Sequence, residues 1–335
     1  MPGAGVTTAR MAALYGGFPA STAACAVNRQ CSSGLATCGA IAAAIQAGYI
    51  DCGIGAGVES MTLYYGPGAM PTDLDEDVLN YGPAAEVMTP MGTTSENVAA
   101  EFGVTRAKQD AFALRSHTLA AKAQKEGLFK DEIVPIKLKD GTVVDTDDGI
   151  RATTAEKLAK LRPAFKENGT STAGNSSQVT DGAAAVLMMR RSLATKLGLK
   201  PIGRWLGYAQ VGVPPRIMGI GPAVAIPAVL EQVGLKQSDI GVYEINEAFA
   251  SQAVYCVEKL GIDVNKVNPK GGAIAFGYLL CFFFLLTLYR HPMGATGARQ
   301  IATLMPELKR TNQKYGLISM CVGIGMGVAA VVEAE

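Results

Sequence analysis

The chain has 335 residues, with 30 Lys and Arg against 29 Asp and Glu, a formal net charge of +1, 49% apolar residues and 39 glycines. Low charge with abundant apolar residues excludes a disordered chain, and a near-neutral balance without a long basic block argues against an electrostatic nucleic-acid binder. The length allows two or three packed layers around a core, and seven cysteines fit no dense disulfide framework but point to a reducing compartment, where a cysteine is core filler or chemistry.

Residues 1–10, MPGAGVTTAR, lack the apolar stretch of a secretory signal, and the end, VVEAE, is not a Ser-Lys-Leu address. No strand precedes the first Gly-rich turn, so the chain reads as truncated at its beginning. Asn28–Ser33 is polar punctuation. From Leu35, small and apolar residues run nearly all round (Ala36, Cys38, Ile41, Ala42, Ile45), predicting a buried helix that Gly48 ends. Ile54–Val58 predicts a buried strand.

Residues 62–90, rich in Pro, Gly, Tyr and acids, read as a loop-like excursion. Residues 95–127 return to helical periodicity with Ser95 and Thr105 as caps, and Lys130–Leu138 predicts a strand. Arg151–Lys166 carries five basic residues and a single acid, Glu156. Ala183–Met189 and Arg204–Val211 predict strands, Ile217–Gly234 a helix, and Val242–Ile245 a strand running into a polar turn at Asn246 and Glu247. Leu317–Cys321 and Val328–Val332 predict a hairpin joined by VGIGMG. The most apolar run, Tyr278–Tyr289, has twelve residues, whereas a spanning helix needs about 20, so no membrane span is expected. Strands alternating with buried helices predict an α/β architecture with covered sheet faces.

Cys31, in NRQCSSGL, stands at the predicted N-terminus of a buried helix, where unpaired N–H groups and the helix dipole favour a thiolate. Gly34 would let the backbone come close to a ligand. A buried cysteine used as a small hydrophobe is the competing reading. A nucleophilic thiol needs a base, and the chain has two histidines. His117 lies in a Lys/Gln/Ala-rich helical stretch and reads as solvated; His291, in HPMGATGARQ, lies on a tight turn before a helix. Asn246 either helps an oxyanion site or caps a helix Glu247–Leu260. Cys321 precedes Gly323, Gly325 and Gly327, whose bare N–H groups suit an oxyanion site or simply a glycine hairpin.

Taken together, NRQCSSGL, PMGTTSEN, TAGNSSQVTDGA, MGIGPAVAIP, NEAFASQ, HPMGATGAR and SMCVGIGMG resemble the thiolase family, most of all its degradative, peroxisomal 3-ketoacyl-CoA branch. The resemblance implies the thiolase fold: two similar α/β halves with sheets packed around buried helices, plus an inserted loop domain. The first half would comprise 1–61 and 180–200, without the family's opening strand–helix–strand portion. The CoA-binding loop domain would span 62–179, and the second half 201–335. It implies CoA-dependent cleavage of a 3-ketoacyl-CoA in peroxisomal β-oxidation by a homodimer, with CoA a substrate and no other cofactor or metal. Cys31 would be the nucleophile, His291 the base and Cys321 the second acid and base. Asn246 would hold a water, and the backbone of Gly323 would donate to an oxyanion. Ser177, Met91, Leu161, Phe165, Ala248 and Phe249 would contact CoA or substrate. A biosynthetic acetoacetyl-CoA thiolase and an inactive or unstable thiolase-like fragment are the alternatives.

One stretch departs from the family pattern. Between Gly277 and His291 stand thirteen residues, YLLCFFFLLTLYR; without them the run would be GGAIAFGHPMGATGARQ, with no gap. Their Phe and Leu codons are pyrimidine-rich, so 278–290 reads as an unremoved intron. If translated, it would displace the base and weaken turnover.

Overall fold

The computed structural model describes residues 5–64, 73–147, 149–276 and 292–335. His291 and the insert 278–290 therefore lie outside the described residues. In chain order the elements are α1 (Val6–Tyr15), α2 (Ser33–Gln46), β1 (Cys52–Ser60), the short helices α3 (Met61–Tyr64), α4 (Glu76–Asn80) and α5 (Gly82–Ala85), then α6 (Met91–Phe102) and α7 (Arg106–Lys125). There follow the two-residue strands β2 (Ile136–Lys137) and β3 (Val143–Val144), α8 (Ala155–Ala159), β4 (Asp181–Met189), α9 (Arg191–Lys196), β5 (Gly203–Gly212) and α10 (Gly221–Val233). The chain ends with β6 (Ile240–Ile245), α11 (Ala250–Leu260), α12 (Thr296–Arg310), β7 (Tyr315–Val322) and β8 (Met326–Ala334).

The C-terminal strands form a sheet of order β5-β8-β7-β6, antiparallel except for the parallel pair β6–β7. β7 and β8 are nearly continuous apolar runs, as strands covered on both faces must be, and every residue from Gly316 to Val322 is buried. One face meets α2 and α12 through Leu35, Ala298, Leu304 and Leu308. The other meets α10 and α11 through Ile226, Val229 and Val257. The stretch Pro215–Val233 is long and apolar enough by composition to cross a membrane, yet its Ala225, Ile226, Val229 and Leu230 are buried against this sheet. β7 and β8 are joined by three residues, with Ile324 at φ 65° and Gly325 at φ 91°. A β-branched residue there is strained, and this turn begins two residues after Cys321.

The second sheet is an antiparallel ribbon of β1 and β4, registered from Cys52 opposite Met189 to Ser60 opposite Asp181. Residues 61–180 thus leave and rejoin the ribbon at one end. α12 packs against α2, β1, β4, β6 and β7, so these two helices lie between ribbon and sheet. The layers run ribbon, helices, sheet, helices.

Several local expectations need correcting. β1 turns its glycines inward rather than its apolar residues: Gly55 is buried, while Ile54 and Val58 are 40% and 53% exposed. A Cβ on Gly55 would lie 2.6 Å from Cys38 Sγ, and one on Gly57 1.8 Å from Gly294 O. Helix α2 at Gly55 and the turn leading into α12 at Gly57 approach the ribbon so closely that only glycine fits at these inward positions. α2 is buried through Gly34, Leu35, Ala36 and Cys38 but exposes Ala40, Ala43 and Gln46, because one flank faces neither sheet. Gly34 admits protein rather than ligand, since its Cβ would sit 2.8 Å from Gly294 O. Thr105 caps α7, accepting from the Lys108 N–H. Ser95 lies inside α6, where its hydroxyl meets those of Ser171 and Ser251 at 2.6 and 2.7 Å. The strand expected at Lys130–Leu138 shrinks to Ile136–Lys137, because its exposed residues find only the short partner Val143–Val144.

Candidate active site

Cys31 occupies the single turn Gln30–Ser32 that leads into α2. Short polar side chains hold this turn: Asn28 accepts from the Gln30 N–H, Ser33 accepts from the Arg29 N–H and donates to Gln30 O, and Ser32 donates to Arg29 O. These local bonds keep Gln30 at φ 47°, a left-handed conformation that a non-glycine residue adopts at a cost. The thiol-bearing residue that follows is 5% exposed.

Cys321 sits at the end of β7, paired across the hairpin with Gly327. Burial pushes its thiol well above the ordinary range, and the thiols of Cys31 and Cys256 push the same way. The two expected cysteines thus come together although 290 positions of chain part them. Gly323, just beyond, faces the same space: a Cβ there would have Gln30 Cβ and Cγ at 3.7 Å and Met91 Sδ at 3.8 Å. The two strained backbones, at Gln30 and Ile324, therefore flank one site.

Apolar walls surround it. Met218, Ala248, Phe249 and Cys321 form one buried cluster, with Met91 and Phe165 packed against it. Phe165 meets Phe249 edge-on at 5.9 Å, and Gly92 makes room, since its Cβ would fall 2.1 Å from the Phe165 ring. Ser177 is tied to the same wall: its N–H donates to Ala248 O at 3.0 Å, and Ser176 bridges to Phe249. Leu161 stands apart, 37% exposed, at the end of α8 where Gly174 approaches it. All five basic residues of 151–166 are exposed.

Asn246 is not a helix cap. α11 starts at Ala250 with Phe249 in the capping position, and the Asn246 N–H donates to Ser319 O at 2.8 Å, prolonging β6 along β7. Asn246 is 1% exposed. Glu247 beside it is fully buried. Its carboxylate accepts from the Ser116 hydroxyl at 2.6 Å, the Asn268 amide at 2.8 Å and the Ile274 N–H at 3.2 Å. Burial raises its pKa and these three bonds pull it back. Asn268, at φ 45°, also exchanges side-chain bonds with the Ile245 N–H and O, so the strand end and the polar turn are held as one unit.

Two further buried groups escaped the sequence reading. His117 is 7% exposed rather than solvated. Its Nε2 lies 3.4 Å from Gly174 O, and burial lowers its pKa. The helical spacing Phe112, Ala113, Ser116, Ala120, Ala123 puts His117 on the buried face and is the signal that would have found it. Glu244 on β6 is 1% exposed, and burial pushes it up to about 8 against the pull of Arg299 and Lys270.

Residues 1–192 match the thiolase N-terminal domain and residues 199–334 the thiolase C-terminal domain. The chain belongs to the thiolase family. Among thiolase relatives, the peroxisomal 3-ketoacyl-CoA thiolase B of Rattus norvegicus is 53% identical over 342 residues, covering 99% of this chain and 77% of the relative. The peroxisomal 3-ketoacyl-CoA thiolase of Saccharomyces cerevisiae is 52% identical, with 99% and 77% covered. The crystal structure of the dimeric peroxisomal thiolase of Saccharomyces cerevisiae superposes with a TM-score of 0.92 at 52% identity, covering 99% of this chain and 82% of that one. Human mitochondrial 3-ketoacyl-CoA thiolase in complex with CoA gives a TM-score of 0.85 at 35% identity, covering 98% of this chain and 83% of that one. The thiolase fold expected from the motifs is thus the fold found.

Proposed function

We propose that this thiolase is a 3-ketoacyl-CoA thiolase of peroxisomal β-oxidation, cleaving a 3-ketoacyl-CoA with CoA into acetyl-CoA and an acyl-CoA shortened by two carbons. The observation that carries the reading is the meeting of Cys31 and Cys321 at the Gly323 turn, inside apolar walls. In the proposed reaction the Cys31 thiolate adds to the C3 carbonyl. The C2–C3 bond breaks with its electron pair passing to the acetyl-CoA enolate, and the acyl group stays on the Cys31 sulfur. Cys321 donates the proton that turns the enolate into acetyl-CoA. A thiol held well above its ordinary pKa stays protonated at neutral pH and suits this step. Incoming CoA then gives its thiol proton to the Cys321 thiolate, adds to the acyl thioester and releases Cys31.

His291 takes the Cys31 proton in this scheme and, with a water held by Asn246, faces the thioester oxygen. The N–H groups of Cys31 and Gly323 face the oxyanion of the tetrahedral states. Ser177, Ala248 and Phe249 line the pantetheine and thioester path with Met91, Leu161 and Phe165, and the exposed cations of 151–166 suit the CoA phosphates by charge. The relatives named peroxisomal support the placement, and the dimeric yeast structure supports a homodimer.

Thiolysis of short and long 3-ketoacyl-CoA substrates tests the assignment, on the chain as given and on one lacking 278–290. Cleavage that Cys31→Ala abolishes is expected, with higher turnover when Gly277 directly precedes His291. Iodoacetamide should label Cys31 faster than Cys25, Cys38 or Cys52, and acetyl-CoA should protect it. Absence of cleavage by both forms, with Cys31 the slowest thiol to react, would overturn the reading. A mature transcript that retains the thirteen codons would refute the intron assignment.

A further inference from the structure

We propose that Phe129 and Glu132 form a two-point clamp on the turn 270–276, making Lys270 and Phe276 positioning residues for the Asn246–Glu247 end of the site. The clamp rests on the thiolase reading for its catalytic consequence, but not for its geometry. Phe129 and Glu132 stand on one tight turn, because the Glu132 and Ile133 N–H groups both donate to Phe129 O at 3.1 Å. Glu132 grips the start of the second turn: its carboxylate lies 3.2 Å from Lys270 Nζ, and the two side chains are 8% and 1% exposed. Phe129 grips both ends. Its ring sits under Lys270 Nζ at 5.1 Å and meets Phe276 edge-on at 5.3 Å. From the far side, the Arg299 guanidinium covers Phe276 at 5.6 Å and lies 3.8 Å from the buried Glu244 carboxylate.

Everything between the two grips is fitted to Glu247. Gly271 is at φ 79°, and a Cβ there would fall 2.6 Å from Ser116 O; one on Gly272 would fall 2.3 Å from Glu247 Cδ. The Gly272 N–H donates to Ser116 Oγ at 3.0 Å, and the Ile274 N–H to the Glu247 carboxylate at 3.2 Å. The turn therefore cannot slide without moving Glu247, which is the residue after Asn246. For stability alone, an apolar pair of similar volume would serve as well as a buried Lys–Glu pair, because desolvation offsets much of their attraction. What the ion pair and ring stack add is a single setting of the turn. A loop-region segment, 127–133, in this way presets catalytic geometry in the C-terminal half.

The test reads amide hydrogen exchange of residues 271–276, thiolysis kinetics and Tm on Glu132→Gln, Glu132→Asp and the double variant Lys270→Met/Glu132→Leu. In Glu132→Gln, exchange in the turn should quicken at least about 10-fold with β7–β8 unchanged. Its kcat should fall about 10- to 100-fold with KM within about twofold, since a misplaced group loses turnover rather than binding. Glu132→Asp should recover part of kcat. The double variant should keep its Tm yet remain slow, which preserves the test if a single variant folds poorly. Alkylation of Cys31 should not change in any of them. Unchanged exchange in the turn, or kcat and Tm declining together with no effect in the double variant, would overturn the clamp. Absence of thiolysis by the unsubstituted chain both with and without 278–290, with Cys31 the slowest thiol to react, would instead sink the functional reading, while the exchange measurement still decides the geometry.

Discussion

β1 and β8 use similar residues in opposite ways. β8, MGVAAVVEA, is buried along both faces from Gly327 to Glu333, with sheet neighbours on either side and helices above and below. β1, CGIGAGVES, turns Gly53, Gly55 and Gly57 towards the helices and leaves Ile54 and Val58 outside. A strand met by a helix at ordinary distance buries its largest residues; one met by a helix backbone buries glycine. The site's fixed side chains, Cys321 and Asn246, end strands of the first kind, where the surroundings leave little freedom to shift.

The comparison breaks most visibly at Gly57. Its Cβ would meet a backbone oxygen at 1.8 Å, so Gly57→Ala should destabilise by at least about 3 kcal/mol, read by denaturant unfolding. Leu317→Ala, on the fully buried β7, should cost about 2–5 kcal/mol by the same measurement. A smaller effect sharpens the contrast, because the C-terminal sheet alone buries a glutamate on a strand. Glu244 keeps its proton in the folded state up to about 8, whereas the unfolded chain loses it near the usual carboxylate value. The folded state binds more protons between those values, so this group's contribution is full at low pH and lost as pH rises through about 8. Tm should therefore decline over that window, and Glu244→Gln should flatten the decline without abolishing it, since Glu247 shifts in the same direction. The smallest effect belongs to Val58→Thr, expected within about 0.5 kcal/mol. A loss of 2 kcal/mol or more there, well above the surface range, would mean the outer face of the ribbon is covered in solution.

The C-terminal hairpin, β5 and β6 were legible in sequence because runs such as LISMC and VAAVV leave few alternatives to a strand buried on both faces. Cys31, Cys321 and Gly323 were legible as candidates because each is set among glycines or short polar residues that shape a turn. The Ser95 cap and the solvated His117 were misread, and the helix-cap alternative for Asn246 falls, for one reason. Each inference used only neighbours in sequence, while Ser171 and Ser251, Gly174, and Ser319 come from distant segments.

By itself the sequence determined the alternation of strands and helices, the turns that carry the two cysteines, and the thiolase motifs, since periodicity and turn chemistry are local properties. Only the tertiary structure decided which face of β1 is inner, that Cys31 comes close to Cys321 beside one apolar cluster, and that Lys270 is buried against Glu132 and Phe129. Those outcomes depend on how closely two backbones approach and on which side chains lose water together, and neither quantity is carried by neighbours along the chain.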